Sequence, residues 1–133
     1  IMKSGKMAVP SDVLILGNSL EEIKDPSKLQ KNDRIVDAGN KAVKDIEIII
    51  KGAKLIIWNG PFGLYEKGFD KATIKVAKLL AKSKATTIVG GGDTVAVVES
   101  QKLINKYTFV STAGGAMLDF LEKGTIVGIE AMK

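Results

Sequence analysis

The chain alternates short apolar runs with stretches of helical periodicity. Val13-Leu14-Ile15-Leu16, Arg34-Ile35-Val36, Leu55-Ile56-Ile57-Trp58, Thr86-Thr87-Ile88-Val89 and Thr108-Phe109-Val110 are short and rich in β-branched residues. Runs of this kind, apolar on both faces, predict buried parallel strands. Ile126-Val127-Gly128-Ile129 reads as a candidate short closing strand. Between the runs, Ala42, Val43, Ile46, Ile49 and Ile50 recur at helical spacing over residues 40–51. A second helix is expected from a cap at Asp70 to Ser83, with Ile74, Ala77, Leu80 and Ala81 facing inward. A third is expected from Thr94 to Ile104 and a fourth from Gly115 to Glu122. Ser19-Leu20-Glu21-Glu22 has the form of a capping box, although Pro26 leaves it barely one turn. The polar segment 24–33 reads as loop. Strand-helix alternation implies right-handed crossovers and an α/β fold with a parallel sheet.

Each of the five strands runs into a turn rich in Gly, Asn, Asp, Ser or Thr. In one parallel sheet these turns emerge together at the carboxyl edge, where open α/β sheets bind ligands. Turns between strand and helix also need glycine and capping residues for purely structural reasons. The repetition, rather than any one turn, points to a site.

Composition narrows the chemistry. The 133 residues fit one domain and leave little room for two. There is no cysteine and no histidine. Disulfides, thiolate zinc sites, Cys nucleophiles and Ser-His triads are therefore excluded within this sequence. What remains is carboxylates, lysines, hydroxyls, backbone amides and a borrowed hard cation, a set suited to phosphoryl transfer. The net charge of +5 carries less information. Arg34 is the one arginine, and nucleic-acid readers favour arginine for bidentate contacts. Lys71, Lys75, Lys78 and Lys82 form a stripe that reads as a solvated helix face rather than a nucleic-acid patch. No apolar run reaches the length of a membrane span, and no signal peptide is visible. The chain starts at Ile1 rather than an initiator methionine, as expected of a piece of a longer protein.

Three strings carry the candidate chemistry. Gly90-Gly91-Gly92-Asp93-Thr94 follows a strand and opens an apolar helix. Its glycines let a ligand approach the backbone, and free amides at the helix start favour phosphate oxygens. Asp93 offers a hard carboxylate suited to Mg²⁺ carried by phosphates, and Thr94 a hydroxyl donor. A tight turn with Asp93 or Thr94 as a plain cap explains Asp-Thr but not three glycines. Neither the Walker A loop nor Gly-x-Gly-x-x-Gly is present. Ser111-Thr112-Ala113-Gly114-Gly115 repeats the arrangement one unit later, so two amide clusters can hold a transferring phosphoryl group. In Trp58-Asn59-Gly60-Pro61-Phe62-Gly63, Pro61 and two glycines fix a rigid turn, Asn59 reaches the carboxyl edge, and Trp58, which belongs to the apolar run, reads as core rather than as a ligand-stacking ring. Glu66 is either a ribose acceptor or a solvated loop carboxylate.

In this order, the three strings resemble the nucleotide-binding C-terminal domain of phosphoglycerate kinases. Val9-Pro10-Ser11-Asp12-Val13, Val36-Asp37-Ala38-Gly39 and the tail Gly128-Ile129-Glu130-Ala131 support the likeness, which covers nearly the whole chain. The resemblance implies that residues 1–133 are the second part of that domain. The implied fold is an incomplete three-layer Rossmann-like parallel sheet with flanking helices, a fragment of a two-domain kinase. The implied activity is phosphoryl transfer between 1,3-bisphosphoglycerate and MgADP in glycolysis, in the cytoplasm. Asn59, Leu64, Glu66, Gly91, Gly92, Asp93 and Thr94 would bind ADP or ATP: Glu66 at the ribose, Leu64 at the adenine, Asn59 near the phosphates. Asp93 would stand near Mg²⁺, and Gly114 and Gly115 would support the transferring group. 3-Phosphoglycerate would be met through an N-terminal domain outside this chain, so the chain alone is expected to be inactive. Neither nucleic acid nor membrane is an expected partner. The alternative is an inactive α/β fragment, or a nucleotide-binding module without turnover.

Overall fold

The computed structural model describes residues 6–17 and 20–132. Strands β1 (Val13–Gly17), β2 (Leu20–Lys24) and β3 (Arg34–Ala38) come first, followed by helix α1 (Asn40–Gly52). Then β4 (Leu55–Asn59), α2 (Lys71–Leu80), β5 (Thr86–Gly90), α3 (Gly92–Ser100), β6 (Phe109–Ser111), α4 (Gly114–Lys123) and α5 (Val127–Glu130) alternate. The strands form two sheets: β2-β1-β3 is antiparallel and β4-β5-β6 is parallel. The fold is thus α/β, with a three-stranded parallel sheet flanked by helices.

The single parallel sheet of five strands is corrected here. Val13–Gly17 and Arg34–Ala38 pair antiparallel with each other, with a bulge between Leu14 and Ile15. The reason lies in the connections. A parallel crossover needs a dozen or more residues and usually a helix. Only residues 18 and 19 separate β1 from β2, room for an antiparallel hairpin alone; residues 25–33 then carry the chain back along the sheet, so that β3 takes the other edge of β1, antiparallel to it and parallel to β2. Leu20 to Glu22, expected inside a capping-box turn, are therefore strand; Ser19, its cap, lies outside the described residues. The closing strand is also corrected. Val127–Glu130 is one turn of helix with Val127 83% exposed, paired with neither sheet.

The core forms where α1, α2 and α3 lie on the parallel sheet. Val43 and Ile50, Ala72, Val76, Ala77 and Leu80, and Val95 and Val98 enclose Trp58 of β4 and Val89 of β5. Side chains alternate across the pleat. The paired row Trp58-Val89-Val110 faces these helices, while the next row, Ile57-Ile88-Phe109, leaves Ile57 and Phe109 about half exposed. On that second face α4 sets Met117 against Gly90. Ile49, expected inside, is exposed.

Both long helices of the core are capped from a distance. The Asp12 carboxylate accepts the amides of Lys41 (3.0 Å) and Ala42 (2.7 Å) at the start of α1. The Asp37 carboxylate, on β3, accepts the amide of Ala72 (3.0 Å) at the start of α2 and that of Ala38 (2.9 Å). Asp70, the expected cap of α2, makes no side-chain capping bond. Asp37 is 1% exposed, and burial pushes its carboxyl above the ordinary range against the pull of those two amides.

Candidate functional site

Three strand ends of the parallel sheet meet around one side chain. The Asn59 side-chain oxygen Oδ1, at the end of β4, lies between the turns that follow β5 and β6. A Cβ on Gly114 would stand 2.4 Å from that oxygen and 2.7 Å from the Gly91 nitrogen. A Cβ on Gly91 would stand 2.8 Å from the same oxygen, and Gly91 has φ 93°, which disfavours other residues. Gly91 and Gly114 are therefore required by the close approach of their two backbones to each other and to the Asn59 side chain. The bond from the Gly91 amide to the Ser111 carbonyl (3.2 Å) closes the same junction.

Gly92 and Gly115 differ from these two. A Cβ on either would meet nothing within 4 Å. They stand in the first turns of α3 and α4, whose first bonds run from the Val95 amide to the Gly91 carbonyl and from the Met117 amide to the Ala113 carbonyl. The amides of Gly92, Asp93 and Thr94, and those of Gly114, Gly115 and Ala116, precede those bonds and have no partner inside their helices. Because Gly114 abuts Gly91, the two helix starts are neighbours. Two sets of amides at positive helix ends, side by side, are donors of the kind that suit an anion. Asp93 is exposed in the first turn of α3.

Thr94 has a different position from the one its sequence context suggested. It is fully buried, and its hydroxyl accepts the Gly60 amide (2.9 Å). Its hydroxyl oxygen thus holds the turn after β4, which leaves the backbone amide as its group without a partner inside α3. Thr73 of α2, also fully buried, accepts the Phe62 amide (3.0 Å). Trp58 is core, as expected; its indole donates to the Gly60 carbonyl (2.8 Å) and its ring stacks on Phe62 at 6.1 Å. The Leu64 amide donates to the Val36 carbonyl of β3 (2.8 Å), which ties the turn to the antiparallel sheet. Leu64 is half-buried, and exposed Glu66 sits on the short helical turn Tyr65–Lys67.

The sequence did not single out Asp37, Thr73 or Asp12. The signal for Asp37 was present: an ionisable residue ending a buried apolar run needs donors nearby. A Cβ on Gly63 would stand 2.6 Å from an Asp37 oxygen, so this glycine too marks a packed junction.

A parallel sheet flanked by helices, with glycine-rich helix starts converging at its carboxyl edge, defines an α/β protein with its candidate site at that edge. The family model for phosphoglycerate kinase matches residues 2–124, and the chain belongs to that family. Phosphoglycerate kinase of Borreliella burgdorferi is 41% identical over 96% of this chain and 34% of its own length. That of Leptospira biflexa is 46% identical over 73% of this chain and 25% of its own. Among solved structures, phosphoglycerate kinase from Coxiella burnetii superposes with a TM-score of 0.82 at 35% identity, over 97% of this chain and 35% of that one. The enzyme from Pyrococcus horikoshii gives 0.71 at 30% identity over 84% of this chain. The chain spans about a third of the length of the first of these relatives.

The family implies a nucleotide carrying Mg²⁺. Among the described residues no group of three or more His, Asp or Glu side chains gathers to cage a metal. Exposed Asp93 fits a different arrangement, in which Mg²⁺ takes one or two carboxylates and completes its shell with substrate phosphates.

Proposed function

We propose that this chain is the nucleotide-binding part of a phosphoglycerate kinase, the second portion of its C-terminal domain. In the complete enzyme it would move a phosphoryl group between 1,3-bisphosphoglycerate and MgADP, in cytoplasmic glycolysis. The observation that carries the reading is the junction of Asn59, Gly91 and Gly114, which sets two open helix starts side by side. Phosphoryl transfer asks a protein mainly for positioning and for donors aimed at equatorial oxygens. The amides of Gly92, Asp93 and Thr94 would hold the nucleotide phosphates, with Gly91 shaping their turn. The amides of Gly114 and Gly115 would face the transferring group. Asn59 would hold both turns in register beside the phosphates, while Leu64 and Glu66 would meet the adenine and ribose.

Mg²⁺, bound through the nucleotide phosphates and Asp93, would neutralise charge on the oxygens. 3-Phosphoglycerate or 1,3-bisphosphoglycerate would be held by the family's N-terminal domain. Turnover is therefore expected only with that domain joined, and MgADP binding is the property to measure. In the full-length enzyme, titration calorimetry should show MgADP affinity falling on Asp93→Ala. Equal affinity in mutant and parent would remove Asp93 from the site.

A further inference from the structure

The lysine stripe on α2 does more than coat a helix. Lys75, Lys78 and Lys82 face Lys44 of α1 across an open groove of ≈ 520 Å³ between the two helices. That groove continues, through the shared residues Glu47, Leu79 and Lys82, into a second hollow of ≈ 390 Å³ edged by Lys51 and Lys84. Together they hold six lysines and one glutamate, an excess equal to the +5 net charge of the whole chain. The glutamate, Glu47, already pairs with Lys51 at 2.8 Å. Among the described residues, Lys44, Lys78, Lys82 and Lys84 have no carboxylate within ion-pair distance. The floor is apolar: Val43, Ile50 and Leu79 lie buried or half-buried between the two lysine rims. The groove shares no lining residue with the nucleotide site proposed above.

We infer that this groove docks an acidic amphipathic helix of a partner protein. Two packed helices present a furrow into which the ridge of a third can lie. An amphipathic helix laid there would place its apolar face on Val43 and Leu79 and its flanking carboxylates among the lysines. A nucleic acid fits less well. The lining contains no aromatic ring for base stacking and no arginine for bidentate phosphate contacts, and it presents apolar surface that a phosphate backbone cannot use.

The test uses a labelled peptide with leucines along one helical face and glutamates on both sides of it, followed by fluorescence anisotropy. Binding should weaken by roughly tenfold or more in the triple variant Lys44→Glu, Lys78→Glu, Lys82→Glu, because attractive exposed pairs become repulsive. Circular dichroism should show the fold retained, since all three side chains are exposed. Should that variant fail to fold, the triple Lys→Gln variant decides by the same readout. Lys102→Glu with Lys106→Glu, remote from the groove, should leave the affinity unchanged. Three results would overturn the inference: undiminished binding by the triple variant, equal binding of an isomer with its leucines scattered around the helix, or tighter binding of a single-stranded oligonucleotide to the same lysines.

Discussion

From Gly60 to Leu64, the turn after β4 is pinned at every second residue. Thr94 and Thr73 hold the amides of Gly60 and Phe62, Trp58 holds the Gly60 carbonyl, and Val36 holds the Leu64 amide. The turns after β5 and β6 are instead closed by absent side chains: Gly91 and Gly114 approach Asn59, and beyond them the amides of α3 and α4 stay open. One region is rigid because buried hydroxyls consume its backbone donors. The other keeps its donors available because glycine lets the backbones pack without using them. A threonine beside a glycine-rich turn is thus not automatically a ligand group; Thr94 fastens the neighbouring turn.

The strongest way to break this comparison is at the glycines. Gly114→Ala would drive a methyl into Asn59 and the Gly91 backbone, an overpacking expected to cost about 1–3 kcal/mol or more. Gly115→Ala enters open space within a helix, where alanine is the better helix former by up to about 1 kcal/mol. Thermal unfolding should separate the two variants in opposite directions. If Gly115→Ala keeps stability but loses affinity for MgATP, which carries the transferring phosphoryl group, the open amides of α4 are the working part. Similar destabilisation by both would erase the distinction between packed and open glycines.

Next in size is Thr94→Val, which keeps the shape but leaves the half-buried Gly60 amide without its acceptor. About 1–3 kcal/mol should be lost, seen as a lower denaturant midpoint at unchanged slope. No loss would mean that the pinning does not hold the turn. Asp37→Asn removes one of two accepted bonds, about 1 kcal/mol at neutral pH. Its pH dependence has a definite sign. The folded carboxyl of Asp37 lies above its ordinary 3.8, so protonation favours the fold. Stability from this group rises as pH falls through that raised value toward 3.8 and is lost again as pH climbs. The gap between parent and Asp37→Asn should therefore widen in favour of the parent on acidification in this window. A gap that stays flat from neutral pH to 4 would show that Asp37 is not raised. Asp25, Asp33 and Glu47, held below their ordinary values mainly by Ser27, by Gln30 with Lys24, and by Lys51, act oppositely. Their support is present above those ordinary values and fades as pH falls through the lowered ones, in parent and variant alike. The smallest effect is expected from Asp70→Ala, within about 0.5 kcal/mol, because Asp70 bonds no helix amide. A loss as large as that of Asp37→Asn would return the cap of α2 to Asp70.

The second half of the chain was legible because its apolar runs alternate with helical periods at crossover length, which leaves few topologies. The first half misled because an apolar run such as Val13–Leu16 reads alike in either kind of sheet; direction is set by the two-residue connection that makes β1 and β2 a hairpin and by the return of residues 25–33 to the far edge of β1. The glycine strings mark the candidate site, but which glycines pack and which stay open depends on Asn59, a contact no local pattern encodes. The caps were missed for a related reason. Local chemistry favoured Asp70, one residue before α2, while the carboxylate that reaches the amide comes from β3.

Those distant caps also bear on cooperativity. The bonds from Ala42 to Asp12 and from Ala72 to Asp37 bridge 30 and 35 residues, and the two sheets share no strand. Opening the antiparallel sheet alone would strip the starts of both core helices and release the Leu64 amide from Val36. The molecule is built to open as one unit, and amides at the starts of α1 and α2 should exchange with solvent at the same rate as those of β3.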